Sequence, residues 1–152
     1  MTDKGGKVKS LRYSMLMVLV VLATHALAGP DEEKAGLAKI LPRFKEAWNT
    51  GQAKGFIAIF HAESRMRKAY EKDDEAKKAF ERSFKQMVEE FGKVESFEVR
   101  KYIEKKGRYV VRVTYIKKGM IPGTFAVKGN DQDGWFILDF NVDGQGEPEL
   151  KE

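Results

Sequence analysis

The stretch WNTGQAKGFIAIFH, residues 48–61, decides how the first part of the chain folds. Gly51 directly follows a helical apolar pattern, and a glycine at that place is the usual left-handed cap of a helix C-terminus. A second, short helix can begin by Ala53. Because this helix carries many large apolar side chains for its length, we predict that it is buried on most sides and closes one end of the fold; its apolar residues are Phe56, Ile57, Ile59 and Phe60.

The segment before Trp48 predicts a first helix. Its apolar residues recur at spacings of three and four, which places them on one helix face; they are Leu37, Ile40, Leu41, Phe44 and Trp48. Pro42 interrupts the pattern. Either the helix is continuous with a local distortion, which we favour, or it begins at Pro42 as its first-turn proline.

A long third helix is predicted from Met66 to Phe91. Its buried stripe would consist of Met66, Tyr70, Phe80, Phe84, Met87, Val88 and Phe91. The middle of this segment, EKDDEAKK at 71–78, is densely charged, which favours a solvated face with supporting ion pairs. Gly92 then ends the helix.

After Gly92 the apolar period changes from three and four to two, which predicts strands. Turns are expected at 104–107, 118–123 and 130–134, and the last strand, 135–142, is almost wholly apolar. Three helices followed by four strands with short connections indicate an α+β fold. We predict a four-stranded antiparallel sheet that curls over the helices.

The N-terminus resembles an export signal. A basic start is followed by the apolar run MLMVLVVLA at 15–23 and by ALA at 26–28. This run is shorter than the about 20 apolar residues of a membrane span, so we predict a signal peptide at 1–28 that is cleaved after Ala28. A polar leader at 29–36, the domain at 37–142 and a polar tail at 143–152 would follow. The predicted location is the periplasm or the exterior, with a bacterial envelope as the expected setting; the alternative is an uncleaved membrane anchor.

Charge and cysteine content exclude several classes of function. The chain of 152 residues has a net charge of +5, but segment 1–28 holds four basic residues and one acidic residue, so the remainder carries only +2. A nucleic-acid partner would require a basic stripe, and none is evident. The absence of cysteine excludes disulfides and thiolate metal sites. The core must therefore supply the stability.

These features resemble the nuclear transport factor 2-like, or cystatin-like, superfamily. The residues that carry the resemblance are FKEAWNTGQAKGFIAIF at 44–60, FGKVESFEV at 91–99 and GWFILDFNV at 134–142. The resemblance implies a cone of curved sheet and helices, often with an apolar pocket. Two departures stand out: Gln52 replaces a common acidic residue, and only residues 62–66 are available for the short strand that members place between the second and third helices. The chain looks like the small exported members of unknown function.

The resemblance also implies a place to look for chemistry, because enzymes of this fold use a buried Asp or His base. Burial raises the pKa of a carboxyl group towards neutrality. The candidate is Asp139, which by strict alternation shares a strand face with Trp135, Ile137 and Asn141. Tyr109 or Tyr115 would be its hydrogen-bond donor. The alternative is that Asp139 meets solvent or a lysine at a sheet edge.

Other site types find less support in the sequence. His61 is the only histidine after segment 1–28, and a lone histidine at a helix end is usually a capping or surface residue. No convergent ligands predict a metal, and the turn NDQDG at 130–134 lacks the length of a calcium loop. No cofactor motif is present.

The leading functional hypothesis is therefore a non-catalytic exported domain that binds a small apolar ligand or a protein partner. A ligand pocket would be lined by Trp48, Phe56, Phe60, Phe84, Tyr109 and Trp135. The alternatives are an isomerase- or cyclase-type enzyme that uses Asp139, and a structural module that dimerises through the sheet. Tyr109, Val111, Val113 and Tyr115 motivate the dimer, with Val110 and Ile116 adding apolar area on the other face.

Overall fold

The computed structural model of the chain describes residues 30–142. The predicted signal peptide and the predicted polar tail at 143–152 lie outside these residues. From Glu33 onward the described residues belong to one compact unit, and residues 30–32 form the N-terminal turn of the first helix.

Helix α1 spans Pro30–Thr50 and contains Pro42, so the interpretation as one continuous helix is confirmed. It begins inside the segment that we assigned to a polar leader. Its end follows the prediction: Gly51 has a φ of 69° and donates its backbone N–H to the carbonyl of Trp48 at 3.0 Å. This left-handed conformation is one that glycine adopts without steric cost.

Helix α2 spans Ala53–Ile57 and buries Ala53, Phe56 and Ile57. The chain then runs along an edge of the sheet instead of leaving it. The backbone N–H of His61 donates to the carbonyl of Ile137 at 2.8 Å, and the N–H of Ile137 donates to Ile59 at 3.0 Å, which forms an isolated parallel bridge. From the sequence, only residues 62–66 were available for a short strand between the second and third helices. The bridge is instead formed by Phe60, which precedes that segment.

The predicted third helix is in fact two helices. Helix α3 spans Arg65–Glu71 and helix α4 spans Asp74–Phe91. Asp73 separates them, because its side chain accepts a hydrogen bond from the N–H of Ala76 at 2.7 Å and so caps α4. The prediction of one helix through 71–78 was wrong for this reason. The predicted apolar stripe does face the core, with Tyr70 and Phe84 buried.

The four predicted strands are present and form one antiparallel sheet in the order β1-β2-β3-β4. Their bounds are β1 Val94–Ile103, β2 Arg108–Tyr115, β3 Gly119–Asn130 and β4 Gly134–Val142, with a 3-10 turn at Glu104–Lys106 between the first two. The α+β class is thus confirmed. The helices pack on one face of this sheet around a largely aromatic core.

Trp48 and Asn49, the first two residues of the stretch 48–61, connect α1 to the start of the sheet by hydrogen bonds. The indole N–H of Trp48 donates to the carbonyl of Gly92 at 2.9 Å. Asn49 accepts from the N–H of Val94 at 2.8 Å and donates to its carbonyl at 3.2 Å. The C-terminal end of α1 is thus hydrogen-bonded to residues 92–94, which lead from the end of α4 into β1.

The hairpin between β3 and β4 packs against residues 36–43 of α1, which precede the Trp-Asn pair. The indole of Trp135 lies directly on Gly36, where a Cβ atom would come within 2.2 Å of the ring. Arg43 donates to the carbonyl of Trp135 at 2.9 Å. Asp131 accepts from Lys39 at 2.6 Å and from the Trp135 indole at 3.0 Å, and these hydrogen bonds, that of Lys39 first, lower the pKa of Asp131.

Candidate functional site

Four of the six predicted pocket residues pack against one another in the core. The ring centroids of Phe56 and Phe84 are 4.6 Å apart, and that of Trp48 lies 5.9 Å from Phe56 and 5.6 Å from Phe84. Phe60 contacts Phe56 at 5.3 Å. All four side chains are essentially without exposed surface. Their rings meet edge to face or stacked, the arrangements that aromatic packing prefers.

The other two predicted pocket residues belong to other parts of the core. The ring of Tyr109 lies 4.7 Å from that of Tyr102 on the neighbouring strand. Trp135 covers Gly36 and is held by Asp131. The sequence pattern identified all six as buried, and their packing partners are side chains of this chain.

Two surface depressions lie along α4, and none of the six residues lines them. One of about 350 Å³ is lined by Lys78, Glu81, Arg82 and Lys85. The other, of about 360 Å³, lies between α4 and the turn at 51–54 and shares Glu81 and Lys85. Both are open and bordered by charged side chains, unlike the enclosed apolar pockets that bind small apolar ligands.

Asp139 does not share a strand face with Trp135 and Ile137, because β4 contains a bulge. Ala126 pairs with Asp139, but its neighbour Val127 pairs with Ile137. The residue between them, Leu138, has no partner in the register, so the alternation shifts by one at this point. Trp135, Ile137 and Phe140 face the helices, whereas Asp139 and Asn141 face the opposite side.

On that opposite side, Asp139 forms an ion pair with Arg108. Arg108 also donates to the hydroxyl of Thr124 at 3.3 Å and, with the Asn141 amide oriented so that its oxygen faces the guanidinium, to that oxygen at 2.9 Å. The side chains of Arg108 and Asp139 are 23% and 35% exposed. A carboxylate that is partly exposed and paired with a guanidinium differs from the buried carboxylate beside a tyrosine that the isomerase-type hypothesis requires.

Tyr109 and Tyr115 both face the helices, so the sheet separates them from Asp139. Tyr115 contacts Trp48 and Phe91, and within the described residues its hydroxyl has no hydrogen-bond partner. Burial raises the pKa of Tyr115 above its ordinary value. The predicted pairing of Asp139 with either tyrosine is therefore absent. The same burial removes Tyr109, Val111, Val113 and Tyr115 from the predicted dimer face.

His61 has a local structural role. Its Nδ1 accepts a hydrogen bond from the backbone N–H of Glu63 at 3.1 Å, and its ring lies 6.1 Å from that of Phe136. Across residues 30–142, no group of three or more His, Cys, Asp or Glu side chains is arranged to hold a metal ion.

The face of the sheet that the described helices leave open carries both polar and apolar side chains. We call it the outer face; it comprises Ser96, Glu98, Lys101, Ile103, Arg108, Val110, Arg112, Thr114, Met120, Pro122, Thr124, Ala126, Lys128, Phe136, Asp139 and Asn141. Four of these are basic and two are acidic, a formal net charge of +2; one of the basic residues, Lys128, forms an ion pair with Glu63, which is not part of the face. Arg112 lies 3.7 Å from Glu98, and its side chain is 28% exposed.

Apolar groups lie at the centre and at one end of the outer face. Val110 has no exposed surface, and Thr124, its partner across β2 and β3, is 7% exposed. At the β2–β3 turn, Ile116 is 59% and Met120 is 58% exposed. Sequence reasoning noted Val110 and Ile116 and the face on which Arg108 and Arg112 lie, but it did not select these arginines as site residues. Their signal was visible, since Arg108 and Arg112 alternate with the core residues of β2.

Comparison with known proteins does not identify the chain: no protein-family model matches it, and no curated protein matches it. Within the described residues, no helix has both the length and the apolar character that a membrane span requires.

Proposed function

We propose that this chain is an exported, non-catalytic interaction domain that binds an acidic protein segment through its outer face. The observation that carries this proposal is that four basic side chains, two of them arginines, lie on the one face of the sheet that the described helices leave open. The mixed apolar and cationic character of the face suits a protein segment better than a small apolar molecule.

The arginines favour a partner that presents carboxylates. A guanidinium offers several donors in a planar fork that matches a carboxylate. Arg108 and Arg112 are already mostly buried and held by Asp139 and Glu98, so ordering them on binding costs little side-chain entropy. Arg and Met are also enriched in protein interfaces, and Met120 lies at the exposed end of the same face.

The small-ligand hypothesis has less support, because the six residues predicted to line its pocket are packed against other side chains of the core. The isomerase-type hypothesis lacks its central feature, a buried carboxylate beside a tyrosine. Asp139 is instead paired with Arg108 on the outer face.

Export is part of the proposal and is supported by the composition of residues 1–28, which has the basic, apolar and small-residue regions of a signal peptide. Intact-mass measurement of the protein from an exported fraction tests it. A chain that begins at Gly29 is expected. A chain that retains residues 1–28 would instead indicate a membrane anchor.

Binding is tested by fluorescence anisotropy with a labelled ten-residue glutamate peptide as the probe and a ten-residue lysine peptide as its control. Arg112→Glu should weaken binding of the glutamate peptide at least tenfold. The matched control is Arg82→Glu, which makes the same charge change on α4 and should alter binding far less. Far-UV circular dichroism verifies that both variants fold.

The proposal is wrong if the wild-type protein does not prefer the glutamate peptide, or if both variants lose affinity equally. Equal losses would mean that net charge alone attracts the probe. Sedimentation velocity of the same samples reports whether the outer face joins two copies of the chain, in which case Met120→Glu should dissociate the dimer.

A further inference from the structure

A cluster of basic side chains lies along α4, apart from the outer face. We call it the α4 surface; it borders the two depressions described above and comprises Lys54, Lys78, Glu81, Arg82 and Lys85. Its four cations are all exposed. Within the described residues none of the four forms an ion pair, whereas Lys77 of the same helix is paired with Asp74.

Helix geometry explains how these cations come together. Lys78, Arg82 and Lys85 are spaced by four and three residues, so they form one row along the helix. The row is about 10 Å long at the usual rise per residue. Phe84 packs against Trp48 and Phe56 in the core, which fixes the rotation of α4 and places the row beside the turn that leads to Lys54.

The α4 surface has a strong positive charge for its size. Its four cations are opposed by one carboxylate, that of Glu81, so its formal net charge is +3. Glu75 and Glu89 lie one turn beyond the two ends of the row and limit it to these positions. The cations are therefore confined to one compact area of the helical layer.

We propose that the α4 surface holds this protein against a membrane that carries anionic phospholipids. The α4 surface shares no residue with the outer face, and its occupant is not the acidic protein segment of the proposed function.

The composition of the α4 surface favours a membrane over a protein partner. Protein interfaces are depleted in lysine and glutamate, and their binding energy comes mainly from buried aromatic and arginine anchors. Four of the five residues of the α4 surface are lysine or glutamate, and none is apolar. A lysine ammonium acts as a point charge, which suits attraction to a negatively charged layer without a fixed geometry.

The shape of the α4 surface favours a layer of anions over one small anion. A single phosphate is usually held by converging donors, often the backbone N–H groups of a helix N-terminus. Here the cations lie in a row beside open depressions, so they do not converge on one point. Long lysine side chains can extend to a headgroup layer while their stems stay on the protein.

The expected binding is reversible. Each Lys or Arg near an anionic membrane contributes roughly fivefold to the affinity, so a net charge of +3 contributes on the order of a hundredfold. Since this attraction is screened by salt, ionic strength would set the fraction of the protein on the membrane.

The test is co-sedimentation of the exported protein with phosphatidylcholine vesicles that contain or lack about one quarter phosphatidylglycerol. We expect at least tenfold stronger binding to the anionic vesicles, and we expect this preference to be lost at about 1 M salt, where the Debye length is about 3 Å. A chain that kept residues 1–28 as an anchor would bind both kinds of vesicle, so the readout is the preference between them.

Three variants assign the preference to the α4 surface. Lys78→Gln combined with Lys85→Gln should lower the preference at least tenfold, and Glu81→Gln should raise it roughly fivefold by removing the one opposing charge. The matched control combines Lys34→Gln with Lys105→Gln, which removes the same charge from exposed positions elsewhere and should change the preference far less. Far-UV circular dichroism verifies that all variants fold.

Equal binding of the wild-type protein to both kinds of vesicle overturns the proposal. Equal losses in the loss variant and its control also overturn it, because net charge alone would then attract the protein, and so does a Glu81→Gln protein that binds no more tightly. If the Lys78 and Lys85 changes weaken the glutamate peptide and not the vesicles, the occupant is a protein segment and the membrane proposal is wrong. Arg82→Glu should weaken the vesicle preference while most peptide binding remains, so the two surfaces are tested separately.

Discussion

Replacing Gly36 by alanine tests the packing that joins α1 to the β3–β4 hairpin. A Cβ atom at this position would lie 2.2 Å from Cδ2 and 2.3 Å from Cε3 of Trp135. The indole has little freedom to move away, because it is 7% exposed and its N–H donates to Asp131. Arg43 also holds the carbonyl of the same residue.

Two effects of opposite sign set the magnitude. Alanine is favoured over glycine in a helix interior by about 1 kcal/mol, whereas a methyl group forced into a packed site costs about 1–3 kcal/mol. The predicted contact is far shorter than the about 3.5–4.0 Å at which carbon atoms attract one another, so we take the upper end of that cost. We expect Gly36→Ala to lower the free energy of unfolding by about 2 kcal/mol, or the Tm by roughly 8 °C.

The assay is urea unfolding followed by tryptophan fluorescence and by far-UV circular dichroism. The matched control is Gly55→Ala in α2, where nothing lies within 4 Å of the added Cβ, and which should stabilise the protein by up to about 1 kcal/mol. In a Trp135→Leu background the cost of Gly36→Ala should largely disappear, since the two changes are coupled. A Gly36→Ala protein as stable as Gly55→Ala would refute the reasoning.

Three further substitutions test single contacts by the same unfolding assay. Asn49→Ala should lower the free energy of unfolding by about 2 kcal/mol, because it leaves the N–H and the carbonyl of Val94 without their partner. A loss below about 0.5 kcal/mol would show that water hydrogen-bonds to these two groups in place of Asn49. Tyr115→Phe should stabilise the protein by about 1 kcal/mol, since it removes a buried hydroxyl with no partner among the described residues, and a loss of stability would reveal a partner. Asp73→Ala should cost about 1 kcal/mol through loss of the cap of α4. Asp74→Ala, at the next position, should cost less, and equal losses would contradict the capping assignment.

Local signals predicted most of the fold. The glycine after Trp48, the apolar spacing of α1 and the alternation of β2 each depend on residues close in sequence, and each prediction was confirmed. The break between α3 and α4 is also local, but it was missed because the charged residues at 71–78 were interpreted only as a solvated face. An aspartate that precedes an acidic first turn is itself a helix start signal.

The candidate site was harder to predict, because it depends on register. Strict alternation placed Asp139 with Ile137, and one extra residue at Leu138 reversed that assignment. A bulge is defined by the partner strand, so β4 alone does not reveal it. Similarly, the pattern identified Phe56 and Phe84 as apolar and buried, but only the 4.6 Å between their ring centroids shows that they pack against each other instead of lining a pocket.

The parallel bridge between Phe60 and Ile137 has a consequence for how this protein meets other chains. It occupies both backbone groups at the middle of β4, an outermost strand, and an incoming strand from another molecule would have to displace it. At the opposite edge, β1 is irregular between Val99 and Lys101 and carries charged side chains, features that discourage strand addition. Growth of the sheet from molecule to molecule, the first step towards amyloid-like aggregates, is therefore impeded at both edges.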